Sequence, residues 1–298
     1  MIYKKAWKYI LTKDDGYCVE YGYYRPKALK DFFDVSKDDI GGYVDGYYNL
    51  SQTGNCWIYD FAEVHDKACV FENANIKGFV YISDYARVFG NARVYNEAII
   101  SGNAQISGNA RVFGYAKVYD YVQVTDNAMV YENASIIRNV HVSENAKIFG
   151  CAAISDKVQV KGKSSISGHA WIYGNAIISE NATVSDKARV TGDAKVFGYA
   201  KVYEDAQVVG DAEISGNAII CGHARISGSA HISENAAIAG DALVYGNAQI
   251  FGNTTILGNT EICDYAQISG RVMVTGNAQV IGHANISGLR TIVQGVYA

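Results

Sequence analysis

The residues of this chain whose types and spacing could do chemistry are two histidines and one column of cations and aromatics. His141 and His231 are each followed, two residues on, by a serine, Ser143 and Ser233. An outward imidazole is a candidate general base, provided that the site is shielded and a reacting hydroxyl comes within reach. The column is Arg93/Tyr95, Arg111/Phe113, Met129/Tyr131 and Lys147/Phe149, evenly spaced along the chain. Cations beside aromatic rings could hold a phosphate, a carboxylate, a sugar or a base. Cross-strand stacking that merely stiffens a sheet is the other reading of the same residues. The six histidines predict no metal site: even His169 and His223, which share a corner, are three coils apart in the reading below, far beyond a shared coordination distance of about 2 Å. No phosphate-binding glycine loop or nucleophile elbow is present, and no cofactor is expected.

What must position these residues is a repeat. From Phe61 to Gly288 the chain is written in 38 sixes without insertion, as in Asn103-Ala-Gln-Ile-Ser-Gly, Asn109-Ala-Arg-Val-Phe-Gly and Asn247-Ala-Gln-Ile-Phe-Gly. The fourth place is always Val or Ile. The second is Ala except at Val80, Val122, Val140, Val158, Ser164, Thr254, Thr260 and Val272. Residues two apart on a strand share a side, so places two and four face inward and places three and five outward. Places six and one are mostly Gly-Asn and similar pairs, which tolerate the left-handed backbone of a sharp corner. One such strand cannot bury its inner side, but stacked coils can, pairing in parallel ladders. The outward column recurs at every third six, from Arg93 to Arg111 to Met129 to Lys147, and so predicts three sixes per coil. Thirteen coils at roughly 4.8 Å each would then extend about 60 Å. Each Val or Ile contributes roughly 1.5–3 kcal/mol on full burial, so the core is ample before chain entropy is subtracted.

Composition narrows the function. A net charge of −4 and pI near 5.9 argue against general attraction to nucleic acid or anionic membrane. No apolar run is long enough to cross a bilayer, and the opening Met1–Lys8 lacks an uninterrupted apolar core. Neither a membrane span nor a signal peptide is therefore expected, and the predicted location is cytoplasmic. Six cysteines without Cys-x-x-Cys spacing read as free thiols. The one proline, Pro26, lies outside the repeat, as suits strands whose N–H groups must reach the next coil.

Three segments follow: an N-terminal cap over 1–54, a parallel β-helix over 55–288 and a tail over 289–298. In the cap, Trp7–Leu11 and Tyr17–Tyr24 flank Lys13-Asp-Asp-Gly16 and predict a β-hairpin. Residues 28–35 read equally as a strand or a helical turn. Arg290 stands at the small inward place, where a buried unpaired charge should end or deform the helix.

Two resemblances add to this. The pattern aliphatic-x-Gly-Asn-Ala-x resembles the hexapeptide repeat of left-handed parallel β-helices, the family of many trimeric acyltransferases; left-handed coiling is what that resemblance implies. Gly41-Gly-Tyr-Val44, Asn49-Leu-Ser-Gln52 and Gly54-Asn-Cys-Trp-Ile-Tyr-Asp60, with Asp31-Phe32-x-Asp34-Val35 before them, resemble the N-terminal signature of the YdcK-like hexapeptide-repeat proteins. That group implies a capped solenoid and supplies no catalytic residue to carry over. The expected fold is all-β, a single-stranded left-handed parallel β-helix with a small β-rich cap. The expected function is a non-enzymatic rigid scaffold that self-associates, as a trimer or end to end, because outward residues such as Ile99, Tyr119, Trp171 and Leu243 suggest partner surfaces. The alternatives are a trimeric hexapeptide-class acyltransferase using His141 or His231 at a subunit interface, and a binder of an anionic small ligand or glycan along Arg93, Tyr95, Arg111, Phe113, Tyr131, Lys147 and Phe149.

Overall fold

The computed structural model describes residues 7–13 and 16–298 and falls into two compact units, Met1–Glu144 and Asn145–Ala298. Both are parallel β-solenoids, with about 14 turns in all. In the first unit, one sheet holds Trp57–Ile58, Asn75–Gly78, Arg93–Asn96, Arg111–Val112 and Met129–Val130. A second runs from Tyr43–Val44 through Glu63–Val64, Tyr81–Ile82, Ile99–Ile100 and Lys117–Val118 to Ser135–Ile136. The third holds Cys69–Val70, Arg87–Val88, Gln105–Ile106, Gln123–Val124 and His141–Val142. Partners are three sixes apart on every side, as in Arg93↔Arg111, Ile99↔Lys117 and Gln105↔Gln123. The second unit keeps the same register in Lys147↔Ser165, Ala153↔Trp171 and Gln159↔Ile177. Three sixes therefore make one coil.

Outward residues carry the ladder. Arg93 N–H donates to the Ala110 carbonyl at 2.9 Å and Asn91 N–H to Gly108 at 2.7 Å, while Ala92 N–H turns back across the corner to Phe89 at 3.3 Å. The inward alanines and Val/Ile are buried throughout both units, Val112 and Ile226 among them. Three polar residues at the second place are buried too. Ser164 and Thr254 donate their hydroxyls back across the corner, to the carbonyls of Lys161 at 2.8 Å and Phe251 at 2.7 Å. Thr260 has no such partner.

The corners hold a finding the residue types did not announce. Besides glycine, the sixth place takes acids with positive φ, such as Glu72 at 58° and Asp84 at 59°. These two carboxylates accept the N–H of the equivalent residue one coil on, Glu72 from Gly90 and Asp84 from Gly102, both at 2.9 Å. The left-handed conformation costs roughly 1–2 kcal/mol for a residue with a Cβ, and a hydrogen bond to a charged acceptor offsets about that much.

The N-terminal segment departs from expectation. Tyr9–Thr12 does pair antiparallel, but with Arg25–Ala28, in register Tyr9↔Ala28. Residues Gly16–Tyr21 form a short helix instead of the second hairpin strand. Tyr17 and Tyr21 meet at a tilt, 4.7 Å apart and one turn apart in sequence, Tyr17 meets Tyr43 edge-on at 4.9 Å, and Cys18 is fully buried. Tertiary contacts of this kind override the β preference of tyrosine. Asp14 and Asp15 of the expected turn lie outside the described residues. The ambiguous stretch 28–35 is a tight turn, with Phe32 and Val35 bridged antiparallel around Phe33 at φ 51°. Parallel pairing begins at Tyr43, opposite Glu63, in a first coil slightly longer than three sixes.

At the other end, Arg290 does not stop the winding. Strand Leu289–Ile292 continues with Arg290 opposite Val272. Its side chain stays exposed while Ile292 is buried, so no charge is desolvated. The deformation comes later and is small: Val296 pairs with Gln279, one residue short of the regular register.

Thr260 gives a direct test of inward polarity. Thr260→Val removes a buried, unpaired hydroxyl and should raise stability by about 1–2 kcal/mol. Thr254→Val removes a satisfied one and should be neutral or destabilising by about 1 kcal/mol. Denaturation midpoints that move together in the two variants would contradict this account.

Candidate functional site

The first sheet of the first unit lines up three outward columns. At the corner are Asn55, Asn73, Asn91, Asn109 and Asn127; at the third place Asn75, Arg93, Arg111 and Met129; at the fifth Lys77, Tyr95, Phe113 and Tyr131. The asparagines form an amide ladder, Asn73 Nδ2 donating to Asn91 Oδ1 at 3.2 Å, Asn91 to Asn109 at 3.3 Å and Asn109 to Asn127 at 3.1 Å. The aromatics form a second ladder, with Tyr95–Phe113 and Phe113–Tyr131 centroids 4.7 and 4.8 Å apart and rings nearly parallel. Between the amides and Arg93 lies a groove of about 580 Å³, bordered at one end by Phe33 and Asp34 of the N-terminal segment. Between the arginines and Tyr95 lies another of about 370 Å³, which Lys77 and Asp60 also border.

Both ladders satisfy themselves; the middle column does not. Arg93 and Arg111 are register partners, both exposed, and Lys77 is exposed beside them. None of the three makes an ion pair among the described residues. Two cations one coil apart repel by about 1 kcal/mol in water. An anion between them would offset that repulsion. Burial pushes the Tyr95 phenol above its ordinary value, while Arg111 and Arg93 pull it the other way.

The facing sides of Tyr95 and Phe113, and of Phe113 and Tyr131, are taken up by each other, so between these rings a ligand would meet ring edges. The structure brings Arg93, Tyr95, Arg111, Phe113 and Tyr131 together in the first unit. Lys147 and Phe149 belong to the second, where Lys147 pairs with Ser165. Lys77, Asn73, Asn91 and Asn109 were missed as site residues, although asparagine recurring at every third six is visible in the sequence.

The two candidate histidines differ. His141 lies in register with Gln123 on the first unit's third sheet. His231, on the second unit, sits 3.5 Å from Glu213, which also takes Lys195 at 2.7 Å, an exposed charge chain. The coils keep their regular register through both positions. Among the described residues no cluster of His, Cys, Asp and Glu could hold a metal ion. All six cysteines are free. No helix among the described residues is long and apolar enough to cross a membrane.

A family model described as the YdcK beta solenoid repeat matches residues 86–102, 104–120 and 266–282. These stretches of the chain are YdcK beta solenoid repeats. All three matched stretches begin at an inward alanine, Ala86, Ala104 and Ala266, and each opens on a strand of the same kind: Arg87–Val88, Gln105–Ile106 and Gln267–Ile268. The YdcK repeat is therefore one coil in one fixed phase. No curated protein matches the sequence.

The signature preceding the YdcK repeats is explained by how the first coil is closed. A Cβ at Gly42 would lie 2.2 Å from the Ala62 carbonyl oxygen, and one at Gly41 2.7 Å from Pro26. Asn49 is fully buried, its side chain accepting from the N–H groups of Asp45 and Gly46 and donating to Ala68. Trp57 is buried against Tyr9 and Phe32. Lys8 Nζ, also buried, donates to the Cys56 carbonyl at 2.9 Å; burial lowers the amine below its ordinary pKa and raises the Cys56 thiol. His65 is buried with its two ring nitrogens on Asp45, at 3.0 Å, and Glu63, at 2.8 Å. These residues dock the N-terminal segment.

Gln52 is the clearest of these ties. Its carbonyl accepts the Lys8 and Tyr9 amides at 2.8 and 3.3 Å, and its NH₂ donates to the Tyr9 carbonyl at 3.0 Å. Gln52→Ala should cost about 1–3 kcal/mol and speed amide exchange at Tyr9 and Ile10, with Val112 unaffected. Unchanged exchange at Tyr9 would remove Gln52 from this role.

Proposed function

We propose that this chain is a non-enzymatic binding scaffold that holds an anionic ligand, small or polymeric, along the Arg93–Arg111 column. The observation that carries the reading is the set of exposed cations Lys77, Arg93 and Arg111, unpaired among the described residues and bordering grooves whose other walls are amides, aromatic edges and the single carboxylates Asp34 and Asp60. Charge supplies attraction and the amides supply donors and acceptors for hydroxyls. What favours binding over acyl transfer is the unbroken register around His141 and His231: no loop leaves the coil to shield a reacting hydroxyl.

The test is binding to a heparin-derived tetrasaccharide, trigalacturonate and ATP, with maltotriose as the uncharged control. Binding of at least one anionic probe should weaken on the order of tenfold or more when Lys77, Arg93 and Arg111 are changed together to Ser, and should fall as salt rises. Equal binding of maltotriose, or a triple variant that binds as the parent does, would end this reading.

Assembly of copies through outward apolar side chains is a second reading, and Phe61 and Phe79 favour it. They stack 5.3 Å apart yet remain 55% and 66% exposed, an apolar pair of the sort that partners cover. If this pair drives assembly, sedimentation should show an oligomer that Phe61→Ser with Phe79→Ser dissociates. A monomer at every concentration would exclude it.

A further inference from the structure

The second unit carries a groove of a different kind. It has a volume of about 420 Å³ and runs between a corner column, His169, Lys187, Asp205 and His223, and an outward column, Trp171, Arg189 and Gln207. The outward column is in strict register, Trp171↔Arg189↔Gln207. On the preceding coil the partner of Trp171 is Ala153, too short to cover an indole. Arg189 lies over the ring at 5.6 Å, Tyr173 meets it edge-on at 6.1 Å, and the indole is still 51% exposed. The aromatic face closed off in the first unit by self-stacking is open here.

We infer that this groove is a second binding site, for an acidic saccharide, formed by Trp171 with Lys187 and Arg189 and with Asp205 and Gln207 as hydroxyl partners. It uses none of the first unit's residues and does not rest on their proposed role. Three features select the ligand. An exposed indole binds the apolar face of a pyranose ring, whose C–H bonds meet the negative face of the π-system. Lys187 and Arg189, exposed and without an ion pair among the described residues, suit a carboxylate, the guanidinium bidentately. Asp205 stands in the same corner column as Lys187, where it repels any anion beside it but accepts hydroxyl hydrogens, as the Gln207 amide also does, so that it suits the hydroxyl-bearing part of a ligand whose carboxylate lies at Lys187 and Arg189. A ligand with a ring face, an anionic group and hydroxyls meets all of these; an inorganic anion meets only the cations.

The experiment uses the full chain carrying Ser at positions 77, 93 and 111, so that binding to the first unit does not contribute. Trigalacturonate is titrated and followed by indole fluorescence and calorimetry, with maltotriose and inorganic phosphate as comparisons. Saturable binding that perturbs the indole signal is expected. Trp171→Ala and, separately, Lys187→Gln with Arg189→Gln should each weaken it on the order of tenfold. Trp171→Phe should retain part of the binding, and phosphate should not compete. The substituted side chains are all exposed, and circular dichroism checks that each variant is folded; should Trp171→Ala misfold, the paired Gln substitutions decide. The inference is overturned by absence of saturable binding, by binding indifferent to both sets of substitutions, by maltotriose binding as tightly, or by full competition from phosphate. Failure here with probes still bound by the unsubstituted first unit would leave the Arg93–Arg111 reading standing.

Discussion

The rest of the structure depends on one constraint: each outward N–H group must find a carbonyl on the next coil, one position short of its own register partner. Arg93 reaches Ala110, Arg111 reaches Ala128, and in the second unit Lys195 reaches Ala212. A coil of constant length satisfies such a ladder without orphaned groups. From it follow the small second place, the aliphatic fourth place and the corner in every six. It also explains why the proline sits outside the coils, at Pro26 in the antiparallel strand Arg25–Ala28: a missing donor inside a coil would break a ladder bond.

The constraint is tightest near the two ends. Inside the regular register the left-handed corner is mostly Gly or an acid such as Asp84 or Glu72, whose carboxylate returns a hydrogen bond to the following coil; Asn96 and Arg138 also adopt it. A Cβ on Gly54 would lie 2.1 Å from the Glu72 carbonyl oxygen, and one on Gly276 2.3 Å from that of Val293. Glycine at those two positions answers backbone crowding as well as a positive φ. Regular corners are crowded to a lesser degree, a Cβ on Gly102 lying 2.6 Å from the Asp120 nitrogen and one on Gly162 2.5 Å from that of Glu180.

How far residue types reveal the molecule follows from the same point. The interior was legible because Ala and Val/Ile alternate in a period that only a stacked coil can bury, and the recurrence from Arg93 to Arg111 announced the register later seen. The N-terminal segment was not, because Gly16–Tyr21 is helical for reasons that lie in Tyr43 and in the burial of Cys18, neither of which a local pattern contains. Arg290 misled for a related reason: its place in the six is inward, yet its side chain is exposed, and a six carries no record of what covers it. In the candidate site the cations and aromatics were visible, but asparagine was assigned wholly to corner geometry. Its side-chain ladder from Asn73 to Asn127 is a second use of the same residue.

Stacking identical coils also decides where chemistry can reside on such a surface. A column of one residue type becomes its own partner: amides hydrogen-bond to amides, rings stack on rings, and the Lys195–Glu213 pair neutralises itself across adjacent coils. Such columns have little left to offer a ligand. A column of like charge cannot be self-satisfied, since register holds Arg93 and Arg111 side by side and their repulsion is relieved only from outside. A column that changes type, as at Trp171, Arg189 and Gln207, leaves an aromatic face, a cation and an amide in sequence with no internal use for all three. With the interior held almost invariant, only the positions where the outward columns fail to pair with themselves keep polar and aromatic groups free for another molecule.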